Sequence, residues 1–260
     1  MASSDVQKPQ WDNFATRYSS LEELPGEILA THLLRNTLGN VRGLKILDLG
    51  CGTGLYARMV LSMGAARLAG VDIASHMVEV GKQLAESQGH ADRTKYHVAD
   101  CAKSLDHLQL GHHSYDLVMG NWLLSYPENQ AQLEGMWRNI AIHLKPGGRF
   151  IGLMVSFRRE LEAALKSGKY GMKATALEEI ENGQRLYLEA ATEPKIEFYN
   201  TKLNRSLFDT AASKAGMVEM AFTQPTAKDL PPGADMEFWK EMLDCPYLMI
   251  CTAVKPRSWW

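Results

Sequence analysis

Lys45-Ile46-Leu47-Asp48-Leu49-Gly50-Cys51-Gly52-Thr53-Gly54 decides the fold of this 260-residue chain. An apolar, strand-like run ends beside an acid, and three glycines follow at alternate positions. Leu55 to Val60 then reads as the start of a helix. A strand, a tight glycine turn and a helix N-terminus form an edge that binds nucleotide-like ligands. Glycine suits such a turn because a Cβ would keep a ligand from the backbone. The spacing narrows the ligand. G-x-G-x-x-G would need glycine at position 55, which is Leu55, and no G-x-x-x-x-G-K-[ST] occurs. Asp48 before the first glycine repels phosphate and attracts an amine.

Outward from this stretch the pattern alternates. Strands are predicted at about 67–73, 95–99, 115–121 and 149–155, with helices between them; Ser75 is the expected N-cap of the helix after the second strand. This alternation implies a parallel sheet covered on both faces. Before it, Trp11 to Tyr18 reads as a short helix, with Trp11, Phe14, Ala15 and Tyr18 on one face, and 24–38 as a second helix with Pro25 in its first turn. Met1 to Gln10 is polar and expected to fray. After Val155 the pattern breaks: 157–194 is charged and reads as helical, with Gly168 and Gly171 as interruptions, and Ile196 to Asn200 alternates like a strand. A helix at 203–215 and strands at 218–223 and 247–254 complete the chain.

Four segments carry a family resemblance: Asp48 to Gly54, Gly70-Val71-Asp72-Ile73, Val98-Ala99-Asp100-Cys101 and Leu144-Lys145-Pro146-Gly147-Gly148-Arg149-Phe150. In this order they resemble the motifs of class I S-adenosylmethionine (SAM)-dependent methyltransferases of small-molecule type, over roughly residues 44 to 155. The resemblance implies an α/β fold, a Rossmann-like seven-stranded sheet, mostly parallel with its last strand antiparallel and helices on both faces. It also implies N-terminal lid helices (1–43), a SAM-dependent domain (44–260) and, inside it, a substrate cap at 157–200.

The same resemblance assigns the cofactor residues. Gly50, Cys51, Gly52 and Gly54 form the turn, and Asp48 holds it or reaches the methionine amine through water. Asp72 accepts the ribose hydroxyls, with Ile73 beside it. Asp100 and the Cys101 backbone face the adenine, the Asn121 carbonyl contacts the amine end, and Tyr18 helps close the pocket. Trp11, Tyr18, Trp122 and Tyr126 are the expected acceptor wall. Plainer readings stay open at each position: Asp72 as a helix-capping acid, Asp100 as a surface-turn acid, Asp48 as a cap for backbone N–H groups, the aromatic residues as core packing.

No catalytic residue is legible. His76, His112 and His113 lie at the ribose end or the opposite edge. No [N/D]-P-P-[Y/F] follows the fourth strand, where Asn121-Trp122-Leu123-Leu124 stands, and no carboxylate pair suggests a metal. Chemistry carried by the sulfonium asks the protein mainly to align a nucleophile and exclude water. The expected reaction is methyl transfer to an O, N or S atom of a small, partly apolar molecule; the alternative is a SAM- or substrate-binding protein without transfer activity.

The composition narrows the remaining classes. Net charge is −2 with a pI near 6.5, so no nucleic-acid partner is expected. No apolar run has the length of a membrane span, and the polar Met1 to Gln10 does not read as a leader, so none is expected. Four cysteines without zinc spacing read as free thiols. The expected location is cytoplasmic and the expected state a monomer or homodimer.

Overall fold

The computed structural model describes residues 3–158 and 160–257. The chain opens with helices α1 (Ser3–Asp12), α2 (Ser19–Glu22) and α3 (Pro25–Leu38). The Rossmann-like half follows as β1 (Lys45–Leu49), α4 (Leu55–Ser62), β2 (Arg67–Asp72), α5 (Ser75–Ser87), β3 (Thr94–Val98), β4 (Tyr115–Met119), α6 (Gln130–His143) and β5 (Leu144–Val155). An insertion comprises α7 (Leu161–Lys166), β6 (Met172–Ile180), β7 (Gly183–Ala190) and β8 (Ile196–Leu203). The chain returns through α8 (Arg205–Lys214), β9 (Val218–Thr223), α9 (Met236–Asp244) and β10 (Leu248–Val254).

Seven strands form one sheet in the order β3-β2-β1-β4-β5-β10-β9. The first five run parallel, and β10 is antiparallel to both β5 and β9. Side-chain alternation sends each strand into two cores. Ile46, Leu117, Met119 and Ile151 join α3 and α4 on one face; Leu47, Val118, Phe150 and Met154 join α6 and α8 on the other. This is the doubly covered sheet the alternation predicts. Strand order reverses between β1 and β4, where the C-terminal ends of an open sheet leave a crevice for ligand.

Three local predictions need correction. The helix expected over Trp11 to Tyr18 is instead the end of α1, a break at Asn13-Phe14 and a 3-10 turn at Ala15–Arg17. Asp12 and Asn13 favour turns over helix interiors, and Asp12 is drawn off to another element. Most of the segment expected to fray is helical; its Met1 and Ala2 lie outside the described residues. Ser75 is not the N-cap of α5: that position is Ala74, which has no capping side chain, and Asp12 supplies the acceptor from a distance.

The helical reading of 157–194 is also wrong. Apart from the short α7, the insertion is a three-stranded antiparallel sheet, β6-β7-β8. Leu186, Leu188 and Ala190 are buried at a period of two, a strand signal. Asn182, in the left-handed region at φ +66°, turns the chain between β6 and β7. Helix-forming Glu, Lys, Ala and Leu before the turn argued for a helix, and packing against the rest of the molecule overrode them.

Candidate cofactor and acceptor site

A single cavity runs from the C-terminal ends of β1, β2 and β4 to the insertion sheet, with Trp11 from α1 and Glu27 from α3 on its wall. Gly50, Gly52, Asp72, Ile73, Asp100 and Cys101 border it from the end of β2 and the loops after β1, β2 and β3; Asn121, Tyr18 and Trp122 also line it. Trp11 and Tyr126 lie towards the insertion sheet, which adds Leu186, Leu188 and Phe198. Asp48, Cys51 and Gly54, expected to touch the ligand, do not border the cavity. Gly54 has a packing role: a Cβ there would lie 2.6 Å from the Tyr96 hydroxyl. Gly52 differs. It is left-handed at φ +52°, and a Cβ there would meet nothing within 4 Å, so its backbone faces open space.

The Asp72 carboxylate accepts the Gly52 N–H at 2.8 Å and the Ala74 N–H at 2.9 Å. It therefore ties the glycine turn to the start of α5 while bordering the cavity. Burial raises its pKa, partly offset by these N–H donors. Asp100 accepts the Ala102 N–H at 2.9 Å. Asp48 lies behind the turn with only 1% of its surface exposed, and neither carboxylate oxygen has a donor among the described residues. The expectation that Asp48 holds the turn by hydrogen bonds is not met. Burial, reinforced by Asp72, pushes its pKa up to about 7. A buried acceptor left unpaired costs roughly 1–3 kcal/mol, so a donor bound nearby would recover that energy. The Asn121 side-chain carbonyl is used by the Leu153 N–H at 3.2 Å, and its buried amide nitrogen has no acceptor among the described residues. An unpaired donor, the Asn121 amide, thus borders the cavity beside a turn with open backbone, while the unpaired Asp48 acceptor lies behind that turn, out of direct contact with the cavity.

Sequence reading missed Glu27. It borders the cavity from the first turn of α3, where the Tyr56 hydroxyl donates to Oε1 and the Trp122 indole donates to the carboxylate. Burial raises its pKa to about 7 against these donors, with Glu22 pushing the same way. A signal was present: Glu27 stands in register with buried Ala30, Leu34 and Leu38 on one stripe of α3, an acid at an apolar position. Trp122 reaches it from a left-handed backbone at φ +63°, a conformation that costs a bulky residue of order 1–3 kcal/mol and is concentrated at functional sites.

Residues 46–148 match a family described as "Methyltransferase domain". Residues 46–148 are a methyltransferase domain, and the fold around them is that of class I SAM-dependent methyltransferases. A sterol 24-C-methyltransferase of Gibberella zeae is 31% identical over 119 residues, 46% of this chain and 30% of that protein. The methyltransferase GfsG of Streptomyces halstedii is 25% identical over 232 residues, covering 87% of this chain and 79% of that one. The match spans less than half the length of several curated relatives. In structure, an S-adenosylmethionine-dependent methyltransferase of Clostridium acetobutylicum superposes with a TM-score of 0.64 at 13% identity, over 95% of this chain and 99% of that one. The methyltransferase domain ends before the insertion, so the insertion sheet and the N-terminal helices, which form much of the cavity's far wall, lie outside it. The open turn, the unpaired Asp48 and Asn121 groups and the carboxylate of Asp72 fit SAM as the cofactor. Among the described residues no helix is long and apolar enough to cross a membrane, and no group of three His, Cys, Asp or Glu is placed to hold a metal.

Proposed function

We propose that this chain transfers a methyl group from SAM to an O, N or S nucleophile of a small, partly apolar molecule. The observation that carries the reading is the continuity of one cavity from the Gly50–Gly52 turn to an aromatic and aliphatic chamber. Ligand pockets of this kind are concave, mainly apolar and hold few polar groups.

In this reading Asp72 accepts the ribose hydroxyls with the lone pairs that Gly52 and Ala74 leave free. Asp100 and the Cys101 backbone face the adenine. Asp48 attracts the ammonium through water, and the Asn121 amide faces the carboxylate end. When bound, SAM supplies an electrophilic methyl and its own leaving group. The protein's part is to hold the nucleophile in line and keep water away. Residues 1–43 act as a lid and 157–200 as a cap: Trp11 rests against Tyr126 of the domain and Phe198 of the insertion sheet, with ring centroids 5.6 and 5.3 Å away. The sterol methyltransferase among the relatives supports an apolar acceptor; its match covers 46% of this chain, so it does not carry over the atom methylated.

The test is calorimetric titration with SAM followed by transfer of labelled methyl to small-molecule extracts. Binding with transfer supports the reading; binding without transfer favours a SAM-binding protein without that activity; no binding rejects both.

A further inference from the structure

The cavity has an electrostatic character that methyl transfer alone does not require. Four carboxylates border it, Glu22, Glu27, Asp72 and Asp100, and among the described residues on its wall there is no Lys, Arg or His. Arg58, which pairs with Glu22 at 3.5 Å, also donates to the Thr53 carbonyl at 2.6 Å. Glu27 has no ion-pair partner among the described residues; its donors are the neutral Tyr56 hydroxyl and Trp122 indole. A carboxylate offers about four lone-pair positions, so two donors leave it able to accept more.

We propose that Glu27 is the proton acceptor for the nucleophilic hydroxyl of the acceptor, and that this acceptor is a neutral, largely apolar molecule of phenol or enol type. The inference rests on the methyl-transfer reading above. The position carries it first. Glu27 is anchored to Trp122, the residue after Asn121 just past β4, and Tyr18 and Tyr126 each face both it and Asp72, so one cavity brings Glu27 together with the cofactor end and with Leu165, Met172, Leu186 and Leu188. Tyr247 enters from the start of β10; its hydroxyl is so close that a Cβ on Gly26 would lie 1.7 Å from it, so glycine beside Glu27 makes room for the ring.

Charge then selects the acceptor. A carboxylate or phosphate would face Glu22 and Glu27 with no cation beside it. An ammonium would be held, but in a form without the lone pair that attacks. A neutral O–H satisfies Glu27 and stays a nucleophile. The step balances. The acceptor oxygen supplies the pair of the new C–O bond, the pair of the broken S–CH3 bond stays on sulfur, and the O–H proton passes to Glu27. One positive and one negative charge disappear together inside the cavity. The groups facing Glu27 are Tyr18, Glu22, Tyr56, Trp122, Tyr126 and Tyr247; none is a cation, which agrees with its raised pKa of about 7.

The test uses the full chain and three probes with one aromatic body: 2-naphthol, 2-naphthoate and 2-naphthylmethylamine. With S-adenosylhomocysteine (SAH) bound, 2-naphthol is expected to bind at least tenfold more tightly than 2-naphthoate. Its affinity should rise with pH through about 7, as Glu27 becomes ionised and able to accept. Glu27→Gln should flatten that profile, keep SAH affinity within about twofold and lower labelled methyl transfer from SAM to 2-naphthol about a hundredfold, in the range of general-base catalysis. Tyr56→Phe, a milder change, should move the midpoint upward by removing a donor to the carboxylate. Equal binding of the naphthoate, failure of the naphthol to bind, a flat profile in the wild type, or lost SAH affinity in Glu27→Gln each overturns the assignment. Absence of transfer from SAM-loaded wild type to all three probes and to small-molecule extracts counts against methyl transfer itself, and proton acceptance falls with it. Intact transfer with a flat profile counts against Glu27 alone. Amine methylation outpacing naphthol methylation overturns the acceptor class.

Discussion

Asp12 Oδ1 accepts a hydrogen bond from the His76 backbone N–H at 2.8 Å, so a residue at the end of α1 caps a helix 64 positions further on. That helix, α5, follows directly from Asp72 and has no capping side chain of its own. The N-terminal segment is thereby fastened to the cofactor end of the molecule. Lys8 pairs with the other Asp12 oxygen. Burial raises the Asp12 pKa, but Lys8 and the His76 N–H outweigh it and hold the carboxyl below its ordinary range.

Asp12→Ala is expected to cost about 1 kcal/mol of stability, the usual worth of an N-cap, and to expose the N-terminal segment to proteolysis before the sheet unfolds. Because the folded pKa is lowered, the wild-type contribution is present above pH 4 and lost as pH falls through the folded value. Thermal melts and limited proteolysis of both proteins measure this. Unchanged protection of residues 8–20 in the variant would mean the cap does not hold the lid.

Asp72→Ala removes the acceptor of the Gly52 and Ala74 N–H groups as well as that expected for the ribose. Hydrogen bonds to charged groups contribute roughly 1.5–3 kcal/mol, so SAH affinity should fall by about ten- to a hundredfold, with a lower melting temperature. Calorimetry on protein that is still folded separates the two effects. A lower melting temperature with wild-type SAH affinity would leave Asp72 as a turn support only.

Asp48 is expected to make the ligand-free protein sensitive to alkali. Its folded pKa is raised from 3.8 to about 7, so its contribution to stability is complete below pH 4 and lost as pH rises through 7. At about 1.4 kcal/mol per unit, the loss is at most about 4 kcal/mol, and Glu27 acts in the same direction. Asp48→Asn should flatten the decline of melting temperature between pH 5 and pH 8. SAH should also release protons near pH 7 as its ammonium favours the ionised Asp48. Titration in buffers of different ionisation enthalpy reads that release; an equal release from Asp48→Asn would assign it elsewhere.

What the sequence disclosed follows the range of the interactions. The β1 turn, Asp72 at the end of β2 and the two-faced sheet are written in local periodicity and in glycine, within a few residues of each element. The insertion was misread because helix-forming residues before the Asn182 turn outweighed the period-two burial of Leu186 and Leu188, which depends on what they pack against. Glu27 was missed for a related reason. Its environment is made by Tyr56 and Trp122, whose approach no spacing records. Asp48 shows the converse: the motif marked it, but only the fold reveals that its oxygens are unpaired.

Trp11 tests whether lid and cap act together. Its ring meets Tyr18 at 6.0 Å, Tyr126 at 5.6 Å and Phe198 at 5.3 Å, joining the N-terminal helices, the loop after β4 and the insertion sheet. Such aromatic pairs contribute about 0.5–1.5 kcal/mol each beyond their buried area. Trp11 is not fully buried, so truncation opens the chamber more than it damages the sheet. Trp11→Ala should therefore leave the fold and, within about threefold, SAH affinity, while raising the acceptor KM at least tenfold. Trp11→Phe should recover most of the loss, because a smaller ring still reaches part of the same surface. Circular dichroism, SAH calorimetry and methyl-transfer kinetics on the two variants separate the outcomes. If Trp11→Ala loses SAH binding as steeply as turnover, the N-terminal segment belongs to the cofactor site and the acceptor is closed in by the insertion sheet without it.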